Sequence, residues 1–133
     1  MQCLVNKNER GITLEYCNLI VILLEEFPEL LQTYEEEKEY LEDLPHLVFE
    51  DIFVPYLIGL VEKPNEEDKI NKACVLIENM IICPEEKIQE VAVVSVLEAL
   101  LPHRNVIEKI KVDFGENTIG YLNKLEKAYG WKT

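Results

Sequence analysis

EEDKINKACVLIENMIICPEEKIQEVAVVSVLEALL, residues 66–101, is the stretch that decides the fold. From Glu66 onward, Ile70, Ala73, Cys74, Ile77, Met80 and Ile81 recur at steps of three and four, while Asp68, Asn71, Lys72, Glu78 and Asn79 fall on the opposite arc. This is the spacing of an amphipathic helix. Pro84 cannot continue it, because proline lacks an amide proton and disfavours helical dihedrals at Cys83, yet its fixed φ suits the first turn of a new helix. Glu85 and Glu86 then stand beside the positive end of the second helix's dipole, an effect of about 0.3–1 kcal/mol each. After Glu90 only Ser95 and Glu98 interrupt an apolar run to Leu101. A helix apolar nearly all round must be surrounded by others. Ala92, Ser95 and Ala99 lie along one side, where small side chains let a neighbouring backbone approach.

Outward from this spine the chain reads as more helix. Met1 to Arg10 is polar and expected to be frayed or loosely packed. A first helix is expected over Thr13 to Glu26 with Leu14, Cys17, Ile20, Val21 and Leu24 inward; a buried strand over Leu19 to Leu24 competes, and helix is favoured because no turn dipeptide flanks the run. Pro28 begins a second helix to Leu44, with Leu30, Leu31, Tyr34, Leu41 and Leu44 as its apolar line. Leu44-Pro45-His46 breaks the chain, and Leu47 to Val61 forms a third, deeply packed helix. Pro55 should bend it, since the amide it lacks would have bonded to the carbonyl of Asp51. Glu62-Lys63-Pro64-Asn65 is a turn into the spine.

Beyond Leu101, Pro102 to Asn105 is a second junction. A short helix through Val106, Ile107 and Ile110 ends near Asp113, and Gly115 breaks it. A last helix from Asn117 to Tyr129 places Ile119, Leu122, Leu125 and Tyr129 inward, and Gly130 stops it; Trp131 folds back on the core or lies exposed. The sum is an all-α domain over residues 1–133, about six helices in antiparallel hairpins with no strand, arranged as a HEAT-like stack or an irregular bundle. No linker or low-complexity tract divides it, because its six prolines and five glycines are never clustered.

Charge bounds the function. Twenty-six acidic residues against thirteen basic ones give a net charge of −13. Such a field repels nucleic acid and anionic membrane, and speeds encounter with a basic protein. Cys3, Cys17, Cys74 and Cys83 have no CxxC spacing and no histidine at a ligand interval, so reduced, mostly buried thiols are expected. The run Leu19 to Leu24 is far short of the ~20 residues that span a bilayer and lacks a small-residue cleavage site. The cytoplasm is the expected compartment. Nothing in the sequence sets an oligomeric state.

The densest acidity, Glu35, Glu36, Glu37, Glu39, Glu42 and Asp43, lies on the second helix and is the first candidate for partner contact, with Glu66, Glu67 and Asp68 as an extension. A purely structural helix would gain more from Glu to Lys pairs four apart than from repelling neighbours. Catalytic candidates are few. His46 and Glu50 share a helical face and would hold a metal only if His103 joined them. Glu98, in an apolar helix, reads as a general acid or, more simply, as a residue at the rim or one paired with a lysine or arginine. No phosphate loop, no GxSxG and no Cys–His nucleophile is present, and no catalytic residue, cofactor or metal is assigned.

Four apolar patterns carry a resemblance: Pro45-His46-Leu47-Val48-Phe49, Val54-Pro55-Tyr56-Leu57, Leu76-Ile77-Glu78-Asn79-Met80 and Val96-Leu97-Glu98-Ala99-Leu100. Together the chain resembles small acidic all-helical bacterial immunity proteins of polymorphic toxin systems and similar HEAT-like domains. The resemblance implies a non-enzymatic protein that binds and neutralises a basic toxin domain. A generic helical adaptor or assembly subunit is the alternative, and a metal-dependent enzyme using His46, Glu50 and His103 a third.

Overall fold

Of the six prolines, Pro55 alone lies inside a helix; Pro28 and Pro45 open one, and Pro64, Pro84 and Pro102 stand between two. This follows from the missing amide, which is harmless in a first turn and disruptive later. The computed structural model describes residues 3–5 and 12–130. Strands β1 (Cys3–Val5) and β2 (Ile12–Leu14) pair antiparallel, Cys3 opposite Leu14 and Val5 opposite Ile12. Eight helices follow among the described residues: α1 (16–26), α2 (28–36), α3 (Lys38–Leu41), α4 (45–62), α5 (Glu67–Ile81), α6 (86–100), α7 (104–113) and α8 (Glu116–Ala128). The fold is all-α, as expected, with the short β pair as its one departure. Part of the segment expected to fray is therefore strand; its remainder, like Trp131, lies outside the described residues.

The expected spine is present as α5 and α6, joined at Cys83-Pro84. Pro84 stands in the junction and not in the first turn, since Glu85 is the residue that precedes the helix. The bend expected at Pro55 takes the form of a widened π turn over Phe49–Phe53, around the Asp51 carbonyl that proline cannot serve. A second π turn spans Val91–Leu97 and packs on the first. Its small residues Ala92 and Ser95 are buried there. Helix α4 also touches α5 and α7, and α8 packs on α5, skipping the two helices between them. Contacts that skip along the chain close on one core, which is the arrangement of an irregular bundle more than of a stack in which each unit meets only its neighbours.

At the centre, the rings of Phe27, Phe49, Phe53 and Tyr56 form a connected series, tilted between Phe27 and Phe53 and edge-on in the other two pairs. Phe27 to Phe53 is 6.0 Å, Phe27 to Tyr56 is 5.5 Å and Phe49 to Phe53 is 5.4 Å between centroids. Lys72, expected on the solvent arc of α5, instead donates to the Glu26 carbonyl at 3.0 Å and lies 5.3 Å from the Phe27 ring centre. It thereby satisfies an orphan carbonyl at the end of α1.

Several inward faces differ from the expected ones. In α1, Leu19, Ile22 and Leu23 are buried, while Val21 and Cys17 are exposed. The run is apolar throughout, so periodicity cannot choose its inner face. The helix expected over Pro28 to Leu44 breaks at Glu37 and ends with Glu42 and Asp43 in the left-handed region, leaving Leu31 and Leu44 exposed. Like charges four apart, as at Glu35 and Glu39, destabilise a helix there.

In α8 the buried line is Thr118, Leu122 and Glu126, and Tyr129 is exposed. Two of those three are polar because each has a partner: Thr118 bonds to Glu78, and Glu126 lies 3.9 Å from Arg104. Gly130, at φ 77°, ends the helix as expected.

Not all the thiols are reduced. Cys74 is free and buried, and burial pushes its thiol up to about 12. Cys17 is free, but Cys83 is buried and disulfide-bonded. A bridge made by tertiary approach leaves no spacing signature in the chain. No described helix is long and apolar enough to cross a membrane.

Candidate protein-docking surface

The acidic run is exposed throughout. Glu35 and Glu36 end α2, Glu37 is the break, Glu39 lies on α3, and Glu42 and Asp43 form the left-handed turn. Its internal partners are weak ones at the surface. Lys38 is 3.8 Å from Glu35, and the Gln32 amide donates to Glu36 at 3.3 Å. Asp43 is more firmly held, accepting the Tyr34 hydroxyl, and that bond with burial pushes the phenol up to about 12.

Tyr40 stands among these carboxylates and is 63% exposed. The nearby charge of Asp51 and a hydrogen bond to it raise the Tyr40 phenol, with smaller contributions from Glu50 and Glu37. Helix α3 therefore sits beside the first half of α4, and Glu50 and Asp51 join the acidic field. Local spacing does not single these two out. Only their tertiary approach to Tyr40 marks them. Exposed Leu31 and Leu44 flank the same run.

Glu66, Glu67 and Asp68 do not extend this patch. They precede and open α5, beside Lys69, which lies 3.5 Å from Glu29 in the first turn of α2. Glu29 also accepts the Tyr56 hydroxyl; burial, that bond and the charges of Glu29 and Glu66 raise the phenol. The two acidic runs thus stand at opposite ends of α2, whose nine residues span about 13 Å.

Next to the acidic run a trough crosses the molecule as three adjoining depressions. The first, about 430 Å³, lies between α1 and the start of α4, floored by Ile20, Val21, Tyr34 and Pro45 with Asp43 at its edge. It shares Tyr16 with a central one of about 510 Å³, where His46 and Glu50 of α4 face Lys87, Glu90, Val91 and Val94 of α6. That one shares Glu90 and Val94 with a third of about 360 Å³, reaching Val93 and Tyr121. Lys87 lies 5.3 Å from the Tyr16 ring centre, and Tyr16's amide donates to Glu85 at 3.1 Å, tying α1 to the start of α6.

The metal constellation does not assemble. His46 and Glu50 share the central depression, but His103 lines another, with Glu62 and Arg104. Among the described residues no three His, Cys, Asp or Glu side chains converge to hold a metal ion. Glu98 is half-buried, in keeping with a rim position, and accepts the Tyr129 hydroxyl at 3.3 Å.

Residues 20–128, from α1 through α8, match the family model described as a domain of unknown function, DUF7674. No curated protein and no solved structure matches the chain.

Proposed function

We propose that the chain, which belongs to the DUF7674 family, acts by binding a basic protein through the acidic surface of α2, α3 and the start of α4. The observation that carries this reading is Tyr40, exposed among Glu37, Glu50 and Asp51. An aromatic anchor within a charged rim is the composition of a binding hot spot: the ring supplies affinity on desolvation, and the rim supplies steering and orientation. The net charge of −13 acts in the same direction at long range.

In its narrower form the protein is a non-enzymatic bacterial inhibitor, an immunity protein whose acidic face covers the basic groove of a toxin domain. A generic adaptor is the second reading, favoured by Val112 and Ile82, which are exposed outside the acidic run. Binding rates measured with a captured partner at low and high salt separate the two. The inhibitor reading expects association to slow at least tenfold between 50 and 500 mM salt, and Tyr40→Ala to weaken binding by about 2 kcal/mol or more. Salt-insensitive association with no effect of Tyr40→Ala leaves the adaptor.

The compartment we assign with this reading is the cytoplasm, where a bacterial inhibitor would meet its target. The Cys83 disulfide stands against it, because glutathione keeps cytosolic thiols reduced. Because Cys83 is buried, the test is made on acid-quenched cells by alkylating the denatured protein before and after reductant: labelling of Cys83 without reductant supports the cytoplasm, and a Cys83 labelled only after reduction moves the protein to an oxidising compartment.

A further inference from the structure

After Glu90, helix α6 is apolar but for Ser95 and Glu98, yet Val94 is 51% exposed. Around it, Lys87, Glu90, Val91 and Ser95 line the central depression, and Glu86, Gln89 and Val93 carry the same helix into the third. At the other end Val21, on the apolar run of α1, is 55% exposed in the same trough. Two valines on strongly apolar runs are thus exposed, one in each of two depressions that Tyr16 joins.

The rim is acidic. Asp43, Glu50, Glu86 and Glu90 edge the three depressions, and among the described residues Lys87 is the one lysine or arginine that lines them. An apolar floor with carboxylate walls is complementary to one chemistry, an apolar stripe flanked by ammonium or guanidinium groups. A second copy of this chain fits poorly, since it would bring another −13 charge onto the same walls.

We infer that this trough is the docking groove for an amphipathic basic helix of the partner, with Val21 and Val94 receiving its apolar stripe and Glu50 and Glu90 its cations. The inference rests on the proposal that the partner is a basic protein and names the element of it that is bound. Tyr40 and the Glu35 to Glu39 run line none of the three depressions, whereas Asp43 and Glu50 belong to both surfaces, so the two are told apart by substituting Val21 or Val94 on one side and Glu36 with Glu39 on the other.

The test uses a labelled 14-residue peptide of leucine and lysine with leucines at helical spacing, and a scrambled peptide of the same composition, by fluorescence anisotropy. The periodic peptide is expected to bind at least tenfold more tightly than the scrambled one. Val94→Asp and Val21→Asp should each remove most of that advantage without lowering the melting temperature, both sites being exposed. Glu50→Gln with Glu90→Gln should reduce the salt dependence of periodic-peptide binding. Equal binding of the two peptides, unchanged by either valine variant, overturns the groove and leaves the acidic-face proposal standing if Glu36→Gln with Glu39→Gln still weakens both. No binding of the periodic peptide, or self-association of the chain through the valines, also overturns it.

Discussion

Replacing Phe27 by alanine is expected to destabilise the protein by about 4 kcal/mol, the cost of removing a fully buried ring and leaving its cavity. Phe27 is 0% exposed and packs on Tyr56 edge-on and on Phe53 at a tilt, while Lys72 lies over its face. Its removal therefore strips α4 of two ring contacts and α5 of a cation–π contact at once. Against a typical stability of about 5–15 kcal/mol, that loss would consume much of the margin. Urea denaturation reads it as a lower midpoint at unchanged slope. Phe27→Leu keeps most of the volume and should cost about 1–2 kcal/mol through the lost ring contacts. If alanine and leucine prove equally mild, the ring cluster is not the centre of the core.

Glu78→Ala is expected to cost about 2 kcal/mol, because Glu78 caps a helix to which it does not belong. The residue before α8 is Gly115, which has no side chain to offer. Glu78, on α5, accepts the backbone amides of Asn117 at 3.3 Å and Thr118 at 2.9 Å, together with their side chains at 2.7 and 2.8 Å. Partial burial works against its charge, but these hydrogen bonds outweigh it and hold the carboxyl below its usual range. The sign follows: a depressed folded value contributes stability fully above the unfolded value near 4.5 and loses it as pH falls through the folded one. The gap in stability between parent and Glu78→Gln should thus persist at neutral pH and close in acid. A gap that does not change with pH would remove the charge from the account.

Gly115 belongs to the same device. A Cβ there would stand 2.4 Å from the Glu78 carboxyl carbon, so Gly115→Ala must push the cap away. The two substitutions should then be non-additive, with Gly115→Ala costing little once Glu78 is alanine.

Glu78 also shows why part of the structure was illegible. On the polar arc of α5, a carboxylate that caps another helix has the same sequence neighbours as one that is only solvated. Lys72 is a second case, assigned to the outer arc and found against Phe27 and Glu26. Phe27 sits at a junction between α1 and α2, where no periodicity applies. The acidic run and the pair His46 and Glu50 were legible as surface. That Tyr40 stands between Glu37 and Asp51, and that Tyr16 joins two depressions, were not.

The sequence by itself determined that the chain is helical, where proline divides it, that α5 and α6 form a buried pair, and that its field is strongly negative. Those properties depend on spacing within a few turns, on the missing proline amide and on charge, all of which act locally or simply sum. Only the tertiary structure decided the inner face of α1, the buried Glu126, the disulfide at Cys83, the separation of His103 from His46 and the exposed strip at Val94. Each depends on which distant surface arrives to cover a side chain, and in a run where every residue is apolar, or on an arc where every residue is polar, no local rule distinguishes the covered from the uncovered.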